Sequence, residues 1–356
     1  MKTLLDDSKI YDRYDPTGVS KTIATFSQQF ESAWHDAQFI NLGFETSAIN
    51  KIVLAGMGGS NLAAHIALSL SPLLLKVPFE IVSNYRLPQY VDQHTLVILV
   101  SYSGKTAEIL SCAENSKQLQ SKTLVITTGG QLKEIALHEH WPLLLLDEKL
   151  NSSHIPRYGL SLMLGSLLGV LVRLNPDAYR YVDPKKIVHV LDHSLENIGL
   201  TKPTLDNPAK NLAFKNKGQS VILISANHLN GVAKTAANFI NETSKTFSTS
   251  FTIPDLNHHL LEGLTLPTSL KDNTRFILLD SALYPEIIQK RFRITKDMLL
   301  KQKYQLTVVK PESADIVSQV FESLAFLVMF SYYLSIANSQ DPGTNPWVDL
   351  FKKQLI

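Results

Sequence analysis

The sequence is poor in the residues that mark several common protein classes. Its 356 residues include a single cysteine, Cys112, which excludes an internal disulfide. Lys and Arg (34) nearly balance Asp and Glu (32), and no basic run forms the positively charged surface that nucleic-acid binding needs. The polar start, MKTLLDDSKIYDRYD, lacks the apolar stretch of a signal peptide. We therefore expect a soluble cytoplasmic protein that does not bind nucleic acid.

Long apolar runs are also scarce. The two best candidates, residues 158–174 and 324–337, are shorter than the roughly 20 continuous apolar residues that a membrane span needs, and Ser, Gly or Tyr interrupts both. We expect them to be buried helices of a protein without a membrane partner.

The hydrophobic share of 44% supports substantial cores, and the length predicts two domains of about 100 to 200 residues. Short β-branched runs alternate with helical stretches, which is typical of parallel sheets covered on both faces. The first series is KIVLAG, FEIVSN, TLVILVS, KTLVITT and WPLLLLD, and the second is QSVILISAN, TSFTIPD, TRFILLDS and YQLTVVK. Helices are expected at 230–245 and 285–300. The sequence thus predicts an α/β protein with two similar, doubly wound, flavodoxin-like domains in tandem.

The expected organisation assigns every part of the chain to one of five segments. They are a helical lead-in at 1–40, a first domain at 41–180, connecting helices at 181–217, a second domain at 218–340 and a C-terminal helix at 341–356.

The stretch GMGGS, from Gly56 to Ser60, follows a predicted strand and opens a helix. Glycines let backbone N–H groups approach an anion closely, and the helix dipole adds partial positive charge there. The stretch lacks the third glycine of the dinucleotide fingerprint G-x-G-x-x-G, and it does not have the spacing of a nucleotide triphosphate loop. These departures disfavour a dinucleotide and a nucleotide triphosphate at this loop.

The stretch SYSGKT occupies the same position after the third predicted strand. Its hydroxyls at Ser101, Ser103 and Thr106, with Gly104 at the turn, could surround one phosphate. A helix N-cap alone needs only one such residue. TTGGQ, from Thr127 to Gln131, is interpreted as a plain turn.

GMGGS followed by SYSGKT resembles the sugar isomerase (SIS) domain, which binds phosphosugars. The tandem arrangement and the motifs that follow are similar to the bifunctional phosphoglucose/phosphomannose isomerase family of archaea and some bacteria, from residue 51 to residue 356. The resemblance implies that the hydroxyl loop grips the phosphate, while Gly58, Gly59 and Ser60 contact the sugar. Lys105 replaces the asparagine of the usual SYSGNT.

Moving a proton between adjacent sugar carbons requires a carboxylate base, a cation for the developing oxyanion and an acid/base group that opens the ring. No metal or redox cofactor is needed. In NFINETSK, Glu242 falls off the apolar face of its predicted helix, so periodicity alone indicates a solvated glutamate. The resemblance instead implies that Glu242 is the base that shuttles the proton between C1 and C2.

The resemblance implies roles for two further residues. In PDLNHHLLEG it implies that His258 opens the ring and, as in related enzymes, reaches in from a neighbouring subunit, so a homodimer is expected. His259 is a competitor, because Asp255 and His259 depart from the usual P-E-x-N-H-N. Arg157, in NSSHIPRYGL, corresponds to the arginine that stabilises the enediolate.

The closing stretch DPGTNPWVDLFKKQLI resembles a helix whose lysine assists ring opening, which implies Lys352, with Lys353 one position away. The usual D-P-x-x-V spacing is longer here, which leaves open whether Thr344 supplies the hydroxyl that accommodates the mannose epimer. Lys310 is an alternative candidate for this lysine, but its position at the end of a predicted strand favours an ordinary surface residue.

The expected activity is the reversible isomerisation of glucose 6-phosphate, and of mannose 6-phosphate, to fructose 6-phosphate. The alternative from another class is a phosphosugar-binding regulatory protein without turnover. Glu242 discriminates between the two, because a sensor has no use for a base at the sugar carbons.

Overall fold

The structure is a computed structural model in which residues 3–355 are described. Residues 1–2 and 356, the outer ends of the predicted lead-in and C-terminal helix, lie outside the described residues. The chain divides into two compact units, one formed by Ala24–His189 and the other by the described residues on either side of it.

In the unit Ala24–His189, five strands form one parallel sheet in the order β2-β1-β3-β4-β5. The strands are β1 Lys51–Gly56, β2 Phe79–Val82, β3 Thr95–Val100, β4 Lys122–Thr127 and β5 Leu143–Leu145. This is the doubly wound order of flavodoxin-like folds. The prediction of a parallel, doubly wound sheet is confirmed for this unit.

The other unit contains a four-stranded parallel sheet in the order β7-β6-β8-β9. Its strands are β6 Ser220–Ser225, β7 Ser248–Thr252, β8 Thr274–Leu279 and β9 Gln305–Val309. With β6 in the place of β1, the order β7-β6-β8-β9 is the same as β2-β1-β3-β4 in the first sheet. The predicted similarity of the two sheets is therefore confirmed.

Helices flank both sheets, and the two predicted between strands of the second series are present as α10 and α13. The α-helices are α1 Ser8–Tyr14, α2 Val19–Ile23, α3 Phe26–Phe39, α4 Ser60–Leu74, α5 Ala107–Gln118, α6 Gly130–His138, α7 Leu160–Leu174, α8 Pro184–Asn197, α9 Pro208–Asn216, α10 Asn230–Ser244, α11 Leu260–Gly263, α12 Leu270–Asn273, α13 Glu286–Lys301, α14 Ile316–Ala337 and α15 Pro346–Gln354.

Two helical stretches within residues 3–355, Pro156–Leu174 and Ile316–Ala337, have the length and apolar composition of a membrane span. In each, 89% of the apolar window is buried inside the structure. They pack as core helices: α7 lies along α3 in one unit, and α14 lies against α9 and α10 in the other. The expectation of buried helices agrees with this packing, although α14 is longer than the apolar run that suggested it.

The central strands explain the stability of the sheets and the position of the loops beyond them. Every residue of β3 is buried, as is every residue of β1 after Lys51. Strands that are covered on both faces remove apolar surface from water, and each Å² removed stabilises the folded state by about 25 cal/mol. The sheet is therefore a rigid base from which loops emerge at the carboxyl ends of the strands.

Candidate functional site

The glycine loop, Gly56–Ser60, and the hydroxyl loop, Ser101–Thr106, start side by side. In the register of β1 and β3, Gly56 is paired with Val100, the last residue before the hydroxyl loop. The backbone N–H of Tyr102 donates to Ser60 Oγ at 3.1 Å, which ties the two loops directly. Both loops therefore lie beyond the carboxyl ends of adjacent strands, where parallel sheets bind ligands.

The glycine loop presents unpaired backbone donors. Gly58 is exposed and has φ +51°, a left-handed conformation that glycine adopts without strain. Within the described part of the chain, the N–H groups of Gly58 and Gly59 have no hydrogen-bond acceptor. Because they precede the N-terminus of α4, these donors suit an anion or an electronegative sugar oxygen.

Asn61 explains why the loop begins with glycine. Its Nδ2 donates to Ser83 Oγ at 2.7 Å, which leaves Oδ1 buried beside the backbone of Gly56. A Cβ at Gly56 would lie 2.5 Å from that Oδ1. A larger residue at position 56 would therefore displace the first turn of α4.

The three predicted hydroxyls of the second loop differ in their surroundings. Ser101 is buried, and its Oγ accepts from the Gly104 N–H at 3.1 Å and lies 2.9 Å from Thr106 Oγ1. Ser103 is exposed, and its Oγ accepts from the Lys105 N–H at 3.3 Å. Ser101 thus shapes the loop, whereas Ser103 and the half-buried Thr106 present hydroxyls outward.

The turn TTGGQ packs directly under the hydroxyl loop. The Thr128 N–H and Oγ1 donate to Tyr102 O at 3.0 and 2.7 Å, and the Leu132 N–H donates to Gly104 O at 2.9 Å. A Cβ at Gly130 would lie 2.4 Å from Ser103 O. This turn holds the hydroxyl loop in shape.

Arg157 is buried, with 2% of its surface exposed, and lies beside the glycine loop. A Cβ at Gly59 would approach the Arg157 backbone N to 3.3 Å. Its guanidinium lies over the ring of Tyr158, 4.9 Å from the centroid. The structure therefore brings Arg157 together with the glycine loop within one unit.

Tyr102 and Asn151 connect the hydroxyl loop to the segment that carries Arg157. Asn151 Nδ2 donates to the Tyr102 hydroxyl at 2.7 Å and to Ile155 O at 3.0 Å. A Cβ at Gly159 would lie 2.3 Å from the Tyr102 ring. Burial raises the pKa of Tyr102 to about 12, although the hydrogen bond from Asn151 opposes the rise, so the ring stays neutral. The network fixes the distance between the hydroxyl loop and Arg157.

Glu242 lies near the end of α10, in the other unit. The predicted apolar face of α10 is buried, and Glu242, off that face, is half-buried. Its Oε2 accepts from Asn345 Nδ2 at 3.3 Å. Glu242 is therefore held by a specific neighbour, unlike the solvated glutamate that periodicity alone indicates.

The predicted ring-opening residues lie on the surface of that unit. His258 and His259 are both exposed, and His259 Nε2 lies 3.5 Å from Asp255 Oδ2. Lys352 and Lys353 are exposed in the last turn of α15. Within residues 3–355, no hydrogen bond or ion pair joins His258 or Lys352 to Glu242.

Sequence reasoning missed Asn61, Tyr102, Asn151 and Asn345. Each makes its contact with a residue distant in the chain, so no local spacing indicated it. A usable signal was the lengthened stretch DPGTNPWV, which adds a polar residue immediately before the closing helix.

The chain matches two protein families along its length. Residues 47–141 match the SIS domain, and residues 205–355 match the bacterial phospho-glucose isomerase C-terminal SIS domain. The first match contains the glycine loop and the hydroxyl loop, and the second contains Glu242, His258 and Lys352.

Two curated proteins are similar to this chain. One, described as a bifunctional phosphoglucose/phosphomannose isomerase from Caldicellulosiruptor bescii, is 26% identical and aligns over 94% of this chain and 98% of its own. The other, a D-glucosamine-6-phosphate 4-epimerase from Sulfolobus acidocaldarius, is 29% identical over 60% of this chain and 63% of its own.

Among solved structures, a hypothetical protein from Thermus thermophilus aligns with a TM-score of 0.75. The alignment covers 98% of this chain and 92% of that chain at 14% sequence identity. At that identity the similarity shows the fold alone.

Proposed function

We propose that this chain, a tandem SIS-domain homologue of the bifunctional phosphoglucose/phosphomannose isomerases, is an aldose–ketose isomerase of phosphorylated hexoses. It interconverts glucose 6-phosphate, and mannose 6-phosphate, with fructose 6-phosphate through an enediol. One observation carries the proposal: the region that matches an isomerase family contains a half-buried carboxylate, Glu242, held by a hydrogen bond. A protein that only binds a sugar phosphate needs no such base.

The two loops of the first sheet hold the substrate in this proposal. Ser103 and Thr106 bind the phosphate through their hydroxyls, in a loop that the buried Ser101 keeps in shape, while Gly58, Gly59 and Ser60 contact sugar oxygens. Free N–H groups at Gly58 and Gly59 support this assignment. The guanidinium of Arg157 stabilises the enediolate oxygen.

The chemistry belongs to three residues. His258, together with Lys352, moves the protons that open the pyranose ring. Glu242 then removes the proton from C2 of the aldose and returns it to C1, while O1 gains a proton as the enediol forms and O2 loses its hydroxyl proton as the ketose forms. The carbonyl thereby passes from C1 to C2, and no redox cofactor is consumed.

A coupled assay of fructose 6-phosphate conversion on wild type and Glu242→Gln tests the proposal. Glutamine keeps the shape of the side chain but cannot accept the proton, so we expect kcat to fall by roughly 10²- to 10⁴-fold with fructose 6-phosphate affinity retained. Glu196→Gln, at an exposed position of α8, is the matched control and should retain wild-type kcat.

Calorimetric titration with fructose 6-phosphate completes the test. A wild-type chain that binds the sugar phosphate and never converts it would establish the regulatory alternative. Equal turnover by wild type and Glu242→Gln would remove Glu242 from the mechanism.

The finer assignments rest on the same resemblance. We propose a cytoplasmic homodimer that serves glycolysis and gluconeogenesis, in which His258 acts in the site of the neighbouring copy. The exposure of His258 supports that role, because a buried side chain could not reach a second subunit. Sedimentation equilibrium measures the assembly, and a monomer at all concentrations would contradict it.

A further inference from the structure

The short 3₁₀ turn Asp255–His258 comes after β7 and ends at His258. Leu256, in the middle of the turn, is fully buried. The backbone N–H of His259, the residue directly after His258, donates to Leu256 O at 3.3 Å. The buried leucine and this hydrogen bond fix the backbone that carries His258, although the imidazole itself is exposed.

Asn257, the residue directly before His258, is hydrogen-bonded at both ends of its side chain to α13. Its Nδ2 donates to Thr295 Oγ1 at 2.8 Å, and its Oδ1 accepts from Arg291 Nη1 at 3.3 Å. Thr295 is fully buried and Arg291 is half-buried, and the two lie one turn apart on the same face of the helix. A guanidinium can only donate, so the contact with Arg291 also fixes which end of the amide carries the oxygen. The turn is therefore attached to α13 immediately beside His258.

The two adjacent histidines differ in what their rings contact. His259 Nε2 lies 3.5 Å from Asp255 Oδ2, and the His259 ring centroid lies 6.2 Å from that of Phe251. Within residues 3–355, the His258 ring makes no hydrogen bond, ion pair or aromatic contact. His258 thus presents an uncommitted imidazole on a fixed backbone, which suits a group that must exchange protons with a substrate.

We infer that Thr295 and Arg291 are positioning residues for ring opening, which act through Asn257 to hold His258 in place; the inference rests on the proposed isomerase function. When the pyranose ring opens, O1 loses its hydroxyl proton, the C1–O5 bond breaks and O5 gains a proton. A residue that moves such protons must lie within hydrogen-bond reach of the oxygen, and a displacement of about 1 Å can cost roughly 10²-fold in rate. The His258 ring has no contact of its own within the described residues, so its position depends on the neighbouring Asn257.

Exchange between the α and β anomers of glucose 6-phosphate measures ring opening directly, because it passes through the open chain and needs no proton transfer at C2. NMR exchange spectroscopy gives its rate, and the coupled assay gives the rate of isomerisation. Thr295→Val removes the hydroxyl and nearly keeps the shape of the side chain. We expect it to slow catalysed anomer exchange by roughly 10- to 100-fold, and isomerisation should slow as well, because only the open chain is isomerised. Thr295→Ser keeps the hydroxyl and should restore most of both rates.

Three controls separate positioning from general damage. Arg293→Met, at an exposed position of α13, should exchange anomers like wild type. Glu242→Gln should lose isomerisation and keep anomer exchange, because the two assays report different steps. Affinity for sorbitol 6-phosphate, an open-chain analogue that needs no ring opening, should be the same in Thr295→Val and wild type by calorimetric titration. Thermal melts establish that Thr295→Val is folded, and Arg291→Met replaces it in both assays if it is not.

Slowed anomer exchange in Thr295→Val, restored in Thr295→Ser and accompanied by unchanged affinity for sorbitol 6-phosphate, supports the inference. Wild-type anomer exchange in Thr295→Val, or a loss of affinity that parallels the loss of rate, overturns it while the proposed function stands. Isomerisation by a wild-type chain that does not accelerate anomer exchange overturns it too. A wild-type chain that converts neither aldose phosphate to fructose 6-phosphate contradicts the proposed function itself.

Discussion

At Gly104 the backbone of the hydroxyl loop has φ +63°, and a Cβ would lie 1.8 Å from Gly129 O. Such a contact is far inside van der Waals distance, so either the loop or the turn beneath it would have to move. Gly43 offers a comparison in the same unit, because its φ is +67° and a Cβ there would meet nothing within 4 Å. Alanine substitutions at Gly43 and Gly104 therefore separate the energetic cost of backbone strain from that of steric overlap.

We predict that Gly104→Ala lowers the free energy of unfolding by more than about 2 kcal/mol and weakens sugar-phosphate binding, because it combines a left-handed alanine with an overlap. Gly43→Ala should cost only about 1 kcal/mol and leave binding unchanged. Urea denaturation and calorimetry measure both effects. Equal losses in the two variants would mean that overlap at Gly104 is relieved without cost.

At the scale of elements, the N-terminal segment is held to its unit by a buried lysine on α9. Lys210 is 1% exposed, and its Nζ donates to the carbonyl oxygens of Leu5, Leu200 and Lys202 at 3.0, 2.7 and 2.8 Å. The ammonium also lies 5.5 Å from the ring centroid of Tyr11. Burial lowers the pKa of Lys210, and the negative charge of Asp6 opposes that shift.

Replacing this lysine should loosen the segment that precedes α2. In Lys210→Met, three carbonyl oxygens lose their donor, and we expect a loss of about 3 kcal/mol in the free energy of unfolding. Amide exchange should quicken first in α1. Lys215→Met, at an exposed position of the same helix, should change stability by less than about 0.5 kcal/mol. Wild-type exchange in α1 of the Lys210 variant would contradict the assignment.

At the scale of the whole molecule, the architecture was predictable because it follows from local pattern. All nine segments predicted as strands contain a strand, and both loops lie where a parallel sheet exposes its strand ends. Contacts such as Asn345 with Glu242, or Lys210 with Leu5, were not predictable, since each joins residues far apart in sequence. Periodicity indicates which side of a helix or strand is buried, but it does not indicate which residue a polar side chain will bond to.

The two sheets share one strand order but differ at the loops beyond their central strands. Beyond the central strands, the first sheet has the glycine and hydroxyl loops, and the second has a buried polar cluster. In that cluster, His228 Nε2 lies 3.1 Å from Gln319 Oε1, to which Ser281 Oγ donates at 2.6 Å. All three side chains are buried, and burial lowers the pKa of His228, which favours the neutral ring. The polar side chains of this cluster are therefore already hydrogen-bonded to one another.

We predict that fructose 6-phosphate binds with a single equivalent per chain, at the first sheet. The double variant Ser103→Ala, Thr106→Ala removes two outward hydroxyls and should weaken binding by roughly tenfold or more. The matched variant Ser281→Ala removes a hydroxyl from the corresponding loop of the second sheet. It should lower stability by about 1 kcal/mol and leave affinity unchanged, because its hydroxyl bonds to Gln319 Oε1 and to the Leu283 N–H. Calorimetric titration gives both numbers, and two equivalents, or loss of affinity in Ser281→Ala, would mean that the second sheet also takes a phosphate.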